Sequence, residues 1–238
     1  MADNARIAVI GAGLMGHGLA QVFALGGHDV TIYDSFDASL KTVKERISTN
    51  LRDLGDDPRA VERVRPTGDL KDCVREADYV VEAVSEDLPL KQKLFAAIES
   101  HVRDDTILAS NTSVIPITEI MRGLRRRERA LGTHWWNPPY LVPLVEVIGT
   151  EWTSPAAIDW TMRLHSAVGK TPAHPLGIKG AHGDVEDGAA RDRGRVIDSD
   201  LLDDVLASVG LLCAKDLTFD AQVHGAELGH DDREILVQ

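Results

Sequence analysis

The chain is expected to fold as a doubly wound α/β protein with a mostly parallel sheet, and two observations carry that expectation. Short apolar runs rich in Val and Ile alternate with stretches of helical spacing, the pattern of βαβ units whose sheet is covered on both faces. The first such run, ARIAVI, drops directly into a glycine turn that opens a helix. With 238 residues, there is enough chain for a sizeable core in one or two domains.

The elements follow in order. ARIAVIGAG is a strand, and the helix from Leu14, LMGHGLAQVFALGG, stops on a Gly-Gly pair. HDVTIYD is a second strand, β-branched and ending on Asp34. Residues 36–54 have the spacing of an amphipathic helix, and GDDPRAVERV reads as a loop into a short helix. ADYVVEAVSED is a third strand and LPLKQKLFAAIESHV a helix with proline in its first turn. TILASNTSVI is a fourth strand, ITEIMRGLRRRERA reads as helical, and ALGTHWWN and LVPLVEVIGT are two more strands. In SPAAIDWTMRLHSAVG, Ser154 is placed as N-cap and Pro155 as the first helical residue.

From about Leu176 the pattern changes. LGIKGAHGDVEDGAARDRGR is rich in Gly, Asp and Arg without an apolar period, and reads as loop or disorder. One capped helix fits DSDLLDDVLASVGLLCAKDL. The boundary therefore falls at residues 1–176 for the α/β domain and 177–238 for a divergent, acidic, partly disordered tail. That tail carries 6 basic and 14 acidic side chains, so most of the net charge of −12 sits there.

Composition excludes several classes of function. A net charge of −12 argues against a nucleic-acid partner. The basic run RGLRRRERA fits a solvated helix end or a phosphate contact. No stretch of about 18 apolar residues is present, so no membrane partner is expected. The N-terminus shows no export signal, which points to the cytoplasm. Cys73 and Cys213 form neither a disulfide framework nor a metal cage, so no metal is expected.

Gly11-Ala12-Gly13-Leu14-Met15-Gly16 lies between a strand and a helix, where the dinucleotide fingerprint of Rossmann-type folds requires it. Gly11 allows the tight turn, Gly13 lets the backbone approach a pyrophosphate, and Gly16 lets helix and strand pack closely. The free N–H groups at the helix start, from Leu14 and Met15 onward, meet the phosphates. Asp34, 18 residues beyond Gly16, is placed to bond the adenosine ribose hydroxyls and repel a 2′-phosphate, which predicts NAD over NADP.

GAGLMGHGLA, EAVSEDLPLKQKLF, SNTSVIPITEI and GTHWWNPPYLVPLVEVI, in this order and spacing, resemble the L-3-hydroxyacyl-CoA dehydrogenases over residues 5–175. Through NPPY and PLVE the chain is most similar to the branch holding lambda-crystallin (L-gulonate 3-dehydrogenase) and carnitine dehydrogenase. The resemblance implies NAD-linked oxidation, of the fatty-acid-metabolism type, of a secondary alcohol beta to a thioester or carboxyl. It implies His134 as base with Glu146 as its partner, and Ser113 contacting the substrate hydroxyl and nicotinamide. Asn137 is implied as a cofactor-binding residue beside the base, and Glu86 and Lys91 as a pair bordering the cofactor ribose and nicotinamide. Pro143, where thioester enzymes carry lysine, leans toward small free acids as substrate.

Chemistry points the same way. Removing hydride from a carbinol carbon requires a group with a pKa near operating pH to take the hydroxyl proton, and histidine fits. An acid inside an apolar strand is costly unless paired, and the short WNPPY connection brings residues 134 and 146 side by side. Each residue alone has a plainer reading. His134 fits a satisfied structural group, Glu146 a solvent-facing edge position, Ser113 a hydroxyl turn, and Lys91 a helix-surface lysine. Trp135 and Trp136 fit wall packing, and His17, His28, His101 and His165 are assigned no role.

Relatives continue from GKTP into a Pro-Gly-Phe…Asn-Arg stretch and a helical domain that completes the cleft and forms a homodimer. This chain continues GKTPAHPLGIKG instead. The break is expected of an altered reading frame or a truncated product, with the dimer interface absent and exposed apolar surface as a consequence. NAD binding is then expected to survive better than turnover, and an NAD-binding protein with little or no turnover is the competing reading.

Overall fold

The computed structural model describes residues 4–174, all within the first of two compact units, 1–194. The tail and the helix expected over 198–217 lie outside the described residues. The strands are β1 (Arg6–Ile10), β2 (Asp29–Tyr33), β3 (Val64–Thr67), β4 (Tyr79–Glu82), β5 (Ile107–Ser110), β6 (Ala130–Trp135), β7 (Leu144–Ile148) and β8 (Thr171–Ala173). The helices are α1 (Leu14–Leu25), α2 (Asp37–Leu54), α3 (Leu70–Val74), α4 (Leu88–Glu99), α5 (Ile117–Met121) and α6 (Pro155–Ala167). One sheet holds the strands in the order β3-β2-β1-β4-β5-β6-β7-β8.

Pairing is parallel from β3 through β6, and β7 runs antiparallel to β6. The chain winds outward from β1 through β2 to β3, then returns to the other side of β1 with β4. That reversal opens a crevice beyond the carboxyl ends of β1 and β4, where ligands bind in such sheets. Alternate residues feed two cores. Val9, Val30, Ile32, Val81 and Leu131 pack under α1, α2 and α6, with Phe23, Ile47 and Leu164. Ala8, Ile10, Val80 and Leu108 pack against α3, α4 and α5, with Val74, Phe95 and Ile120.

Caps explain several helix starts. Asp87 Oδ1 accepts from Leu90 N at 2.7 Å, and Ser154 Oγ accepts from Ala157 N at 3.2 Å, each ahead of an early proline. Two expectations are corrected. Residues 117–130 are not one helix: α5 ends at Met121, and a 3₁₀ turn covers Arg127–Arg129. The N–H groups of Arg125 and Arg126 turn to the Glu99 carboxylate and the Arg127 guanidinium lies 4.4 Å from the Trp152 ring, so this basic run is an ion-paired loop. The edge strands β3 and β8 and the short α3 were not foreseen.

Under the sheet, the Asp78 carboxylate accepts from Arg6 N at 2.8 Å and from Arg103 Nη2 at 2.6 Å. Burial alone would push its pKa up, but the Arg6 and Arg103 bonds outweigh it and hold the carboxyl down at about 2. A depressed folded-state value stabilises the protein above the unfolded carboxyl pKa, and the benefit is lost as pH falls through the folded one. Asp78→Asn is therefore expected to cost on the order of 2 kcal/mol at neutral pH. Acid titration of unfolding should show the variant less sensitive than wild type between roughly pH 4 and pH 2.

Candidate active site

The glycine turn lies at the carboxyl end of β1. Gly11 has φ +104, and a Cβ there would meet Ala83 O at 2.6 Å. At Gly16 a Cβ would fall 1.8 Å from Gly11 O, so turn and helix touch backbone to backbone. Over Gly13 the space a side chain would occupy is open. Asp34 braces the turn from β2: Oδ2 accepts from Ala12 N at 2.7 Å and Oδ1 from Phe36 N at 2.9 Å.

One brace was not foreseen. Arg46 of α2 donates to Ala12 O at 2.6 Å and to Gly13 O at 3.3 Å. Holding these carbonyls inward leaves the N–H groups at the start of α1, which has no side-chain cap, directed at the crevice. His17 also lies here, with Nδ1 2.9 Å from Gly13 O; burial, with Arg46 adding to it, lowers its pKa. Nothing in the sequence marks Arg46, which is one of two arginines on an amphipathic helix.

Beyond β4 lies a buried polar network. Glu82, fully buried, accepts from Lys91 Nζ at 2.6 Å, Val84 N at 2.7 Å and Ser110 Oγ at 2.6 Å. Lys91 also reaches Glu86 Oε2 at 3.3 Å. Glu86 Oε1 in turn accepts from Thr112 Oγ1, Ser113 N at 3.1 Å and Val114 N at 3.2 Å. Burial pushes the Glu86 carboxyl up, but the bonds from Thr112 and Val114 and the Lys91 charge outweigh it and leave its pKa low. Lys91 is 1% exposed, so its ammonium faces Glu82 and Glu86 rather than the surface. The sequence reading missed Glu82, Ser110 and Thr112.

On β6 and β7, His134 stands opposite Glu146 in register. His134 Nδ1 lies 2.7 Å from Glu146 Oε2, with 17% and 33% of the two side chains exposed. A carboxylate only accepts, so the tautomer that satisfies this contact carries its proton on Nδ1, and in the neutral ring Nε2 then holds the lone pair. The pair lies near the carboxyl end of β6, the edge of the sheet that also carries the glycine turn. Asn111 Oδ1 accepts from Trp135 N at 2.8 Å and ties the loop after β5 to this strand. Ser113 and Asn137 are exposed, and among the described residues neither side chain makes a hydrogen bond. The Trp136 ring lies beside His134, tilted 47° to it with ring centroids 5.4 Å apart.

Residues 6–175 match the family model described as 3-hydroxyacyl-CoA dehydrogenase, NAD binding domain. The chain belongs to the 3-hydroxyacyl-CoA dehydrogenase family. A curated relative, 5-formyl-3-hydroxy-2-methylpyridine 4-carboxylate 5-dehydrogenase of Mesorhizobium japonicum, is 39% identical over 172 residues, covering 70% of this chain and 56% of its own. L-carnitine dehydrogenase of Streptomyces griseus is 35% identical over 173 residues, covering 71% and 52%. Among solved structures, 3-hydroxybutyryl-CoA dehydrogenase of Escherichia coli superposes with TM-score 0.69 at 31% identity, covering 73% of this chain and 38% of that one. The chain thus spans about half the length of the curated relatives it matches.

NAD is the cofactor of the family domain matched here. The residues fit it, because the space over Gly13 is open, Leu14 is 65% exposed at the helix start, and the Asp34 carboxylate stands at the end of β2. The fold is the Rossmann-type, mostly parallel sheet of this dehydrogenase family. Among the described residues no helix is long and apolar enough to cross a membrane, and no cluster of three or more His, Cys, Asp or Glu could hold a metal. Cys73 is buried, and burial pushes its thiol to about 12, which makes it an inert core residue.

Proposed function

We propose that the chain oxidises the 3-hydroxyl of a 3-hydroxyacyl-CoA or small 3-hydroxy acid to the ketone, with His134 as the base. The observation that carries this reading is the 2.7 Å contact between His134 Nδ1 and Glu146 Oε2 near the carboxyl end of β6. NAD, when bound, supplies the hydride acceptor. His134 Nε2 takes the hydroxyl proton as the carbinol C–H bond breaks, and the oxygen lone pair closes the carbonyl. Glu146 fixes the tautomer and stabilises the imidazolium that forms, the role an acid plays in other His–acid pairs. Ser113 donates to the substrate hydroxyl oxygen, and Asn137 holds the substrate beside the base. Asp34 bonds the adenosine ribose, and the first turn of α1 holds the pyrophosphate.

A second reading is favoured by one observation: matches cover only 56% and 52% of the two curated relatives. On that reading the chain binds NAD with little or no turnover. NADH formation from 3-hydroxybutyryl-CoA, L-carnitine and L-gulonate separates the two. Turnover on any of them that is lost in His134→Ala supports the first reading; NAD binding with none supports the second. Under both, Asp34→Ala is expected to weaken NAD about tenfold or more, since a hydrogen bond to a charged group is lost. Parallel NAD and NADP titrations should show the preference for NAD shrinking.

A further inference from the structure

The connection from β6 to β7 carries the proposed chemistry at both ends and Asn137 within it, yet its sequence, WNPPYLVP, is poor in backbone donors. Pro138, Pro139 and Pro143 have no N–H. The two donors at Leu141 and Val142 both go to Pro138 O, at 3.1 Å each. That leaves the part-buried carbonyls of Pro139 and Val142 to find partners elsewhere, and a carbonyl turned from water without a partner is costly.

Both are satisfied by one side chain from a distant element. Lys170, just after α6, donates from Nζ to Pro139 O and to Val142 O, the latter at 2.9 Å. The ammonium also stands 5.7 Å from the ring centroid of Trp135, the residue after His134. Among the described residues it has no carboxylate partner. Its place is fixed by its own backbone: Gly169 takes φ +78 to end the helix, Lys170 N donates to His165 O at 3.0 Å, and Thr171 N donates to Pro143 O at 2.9 Å.

We infer that Lys170 is a positioning residue: it clamps the proline-rich connection, and so holds Asn137 and the His134–Glu146 pair in the shape the proposed reaction needs. The clamped segment also rests on the cofactor half of the site. A Cβ at Gly18 of α1 would meet Pro139 at 3.0 Å, and the Tyr140 ring lies 6.5 Å from His17. Desolvation lowers the Lys170 ammonium to about 8. The titratable neighbour on α6, His165, is pushed by burial to about 4, so it adds no competing charge at neutral pH.

The inference rests on the proposed reaction for its consequence, but not for its test. In the full chain, Lys170→Met should speed amide exchange at Leu141 and Val142 about tenfold or more, as loss of two charge-assisted bonds requires. Exchange in β1 and α1 should stay as in wild type. With 3-hydroxybutyryl-CoA, kcat should fall at least about tenfold while NAD affinity stays within about twofold, and Lys170→Arg, which keeps the donors, should restore part of both losses. Wild-type exchange at Leu141 and Val142 in the Met variant overturns the clamp. Unchanged kcat in a chain that does turn over overturns the positioning role while leaving the reaction intact. A wild type silent on every substrate removes the reaction instead, and the exchange result alone then decides whether Lys170 clamps the connection.

Discussion

Replacing His134 with alanine is expected to lower turnover of the 3-hydroxy substrate by roughly a hundredfold to ten-thousandfold, the range that positioned proton transfer contributes. NAD affinity should stay within about twofold, because the imidazole belongs to the β6–β7 end of the sheet and the glycine turn is held by Asp34 and Arg46. Glu146→Gln tests the pair from the other side. An amide can accept from Nδ1 but carries no charge to stabilise the imidazolium, so kcat should fall with little change in NAD binding. Initial rates of NADH formation and a fluorescence titration with NAD check both. A His134→Ala variant that kept its rate would remove the imidazole from the chemistry altogether.

What the sequence disclosed, and what it hid, follows from how local each feature is. The glycine turn was legible because three glycines at fixed spacing answer to one backbone geometry, and Gly16 and Gly11 do touch. His134 and Glu146 were legible because a short connection between two strands fixes a register, and 134 pairs with 146 across the ladder. Asp34 was readable from its place at the end of an apolar strand. By contrast, β3 escaped because four residues holding Pro66 at a sheet edge carry almost no pattern. The basic stretch after α5 was read as helix because Arg and Glu are helix formers, but Glu99 captures the N–H groups of Arg125 and Arg126 and turns the chain.

The contacts of Arg46, Glu82 and Lys170 are hidden in the sequence for a deeper reason. Each side chain reaches across the fold, to a partner 9 to 34 positions away in sequence. Arg46 and Lys170 address backbone carbonyls, which every residue has, so no partner residue type signals the contact. Glu82 has the place of the last residue of an apolar strand, and the partner the resemblance implies for Lys91 is Glu86, not Glu82.

Lys91→Met puts that hidden network to its largest test. Lys91 and Glu82 are 1% and 0% exposed, and the ammonium is the positive charge facing the Glu82 carboxylate. Removing one partner of a buried pair leaves the other charge stranded, which typically costs about 3–5 kcal/mol. Urea unfolding should show that loss as a lower midpoint at unchanged slope. The Ser110 hydroxyl and the Val84 N–H still support Glu82, so the loss should sit toward the lower end of the range. Pairing Lys91→Met with Glu82→Leu should restore part of the stability, since no buried charge is then left alone, and the double variant should fall short of the summed single losses by about 1–3 kcal/mol. NAD binding separates structure from site: Lys91→Met also frees Glu86 from its ammonium, so the 112–114 loop should loosen and NAD affinity drop, whereas Asp78→Asn, at the far edge of the sheet, should leave affinity alone. A single-variant loss below about 1 kcal/mol, or losses that simply add, would show that Lys91 and Glu82 are neighbours without being coupled.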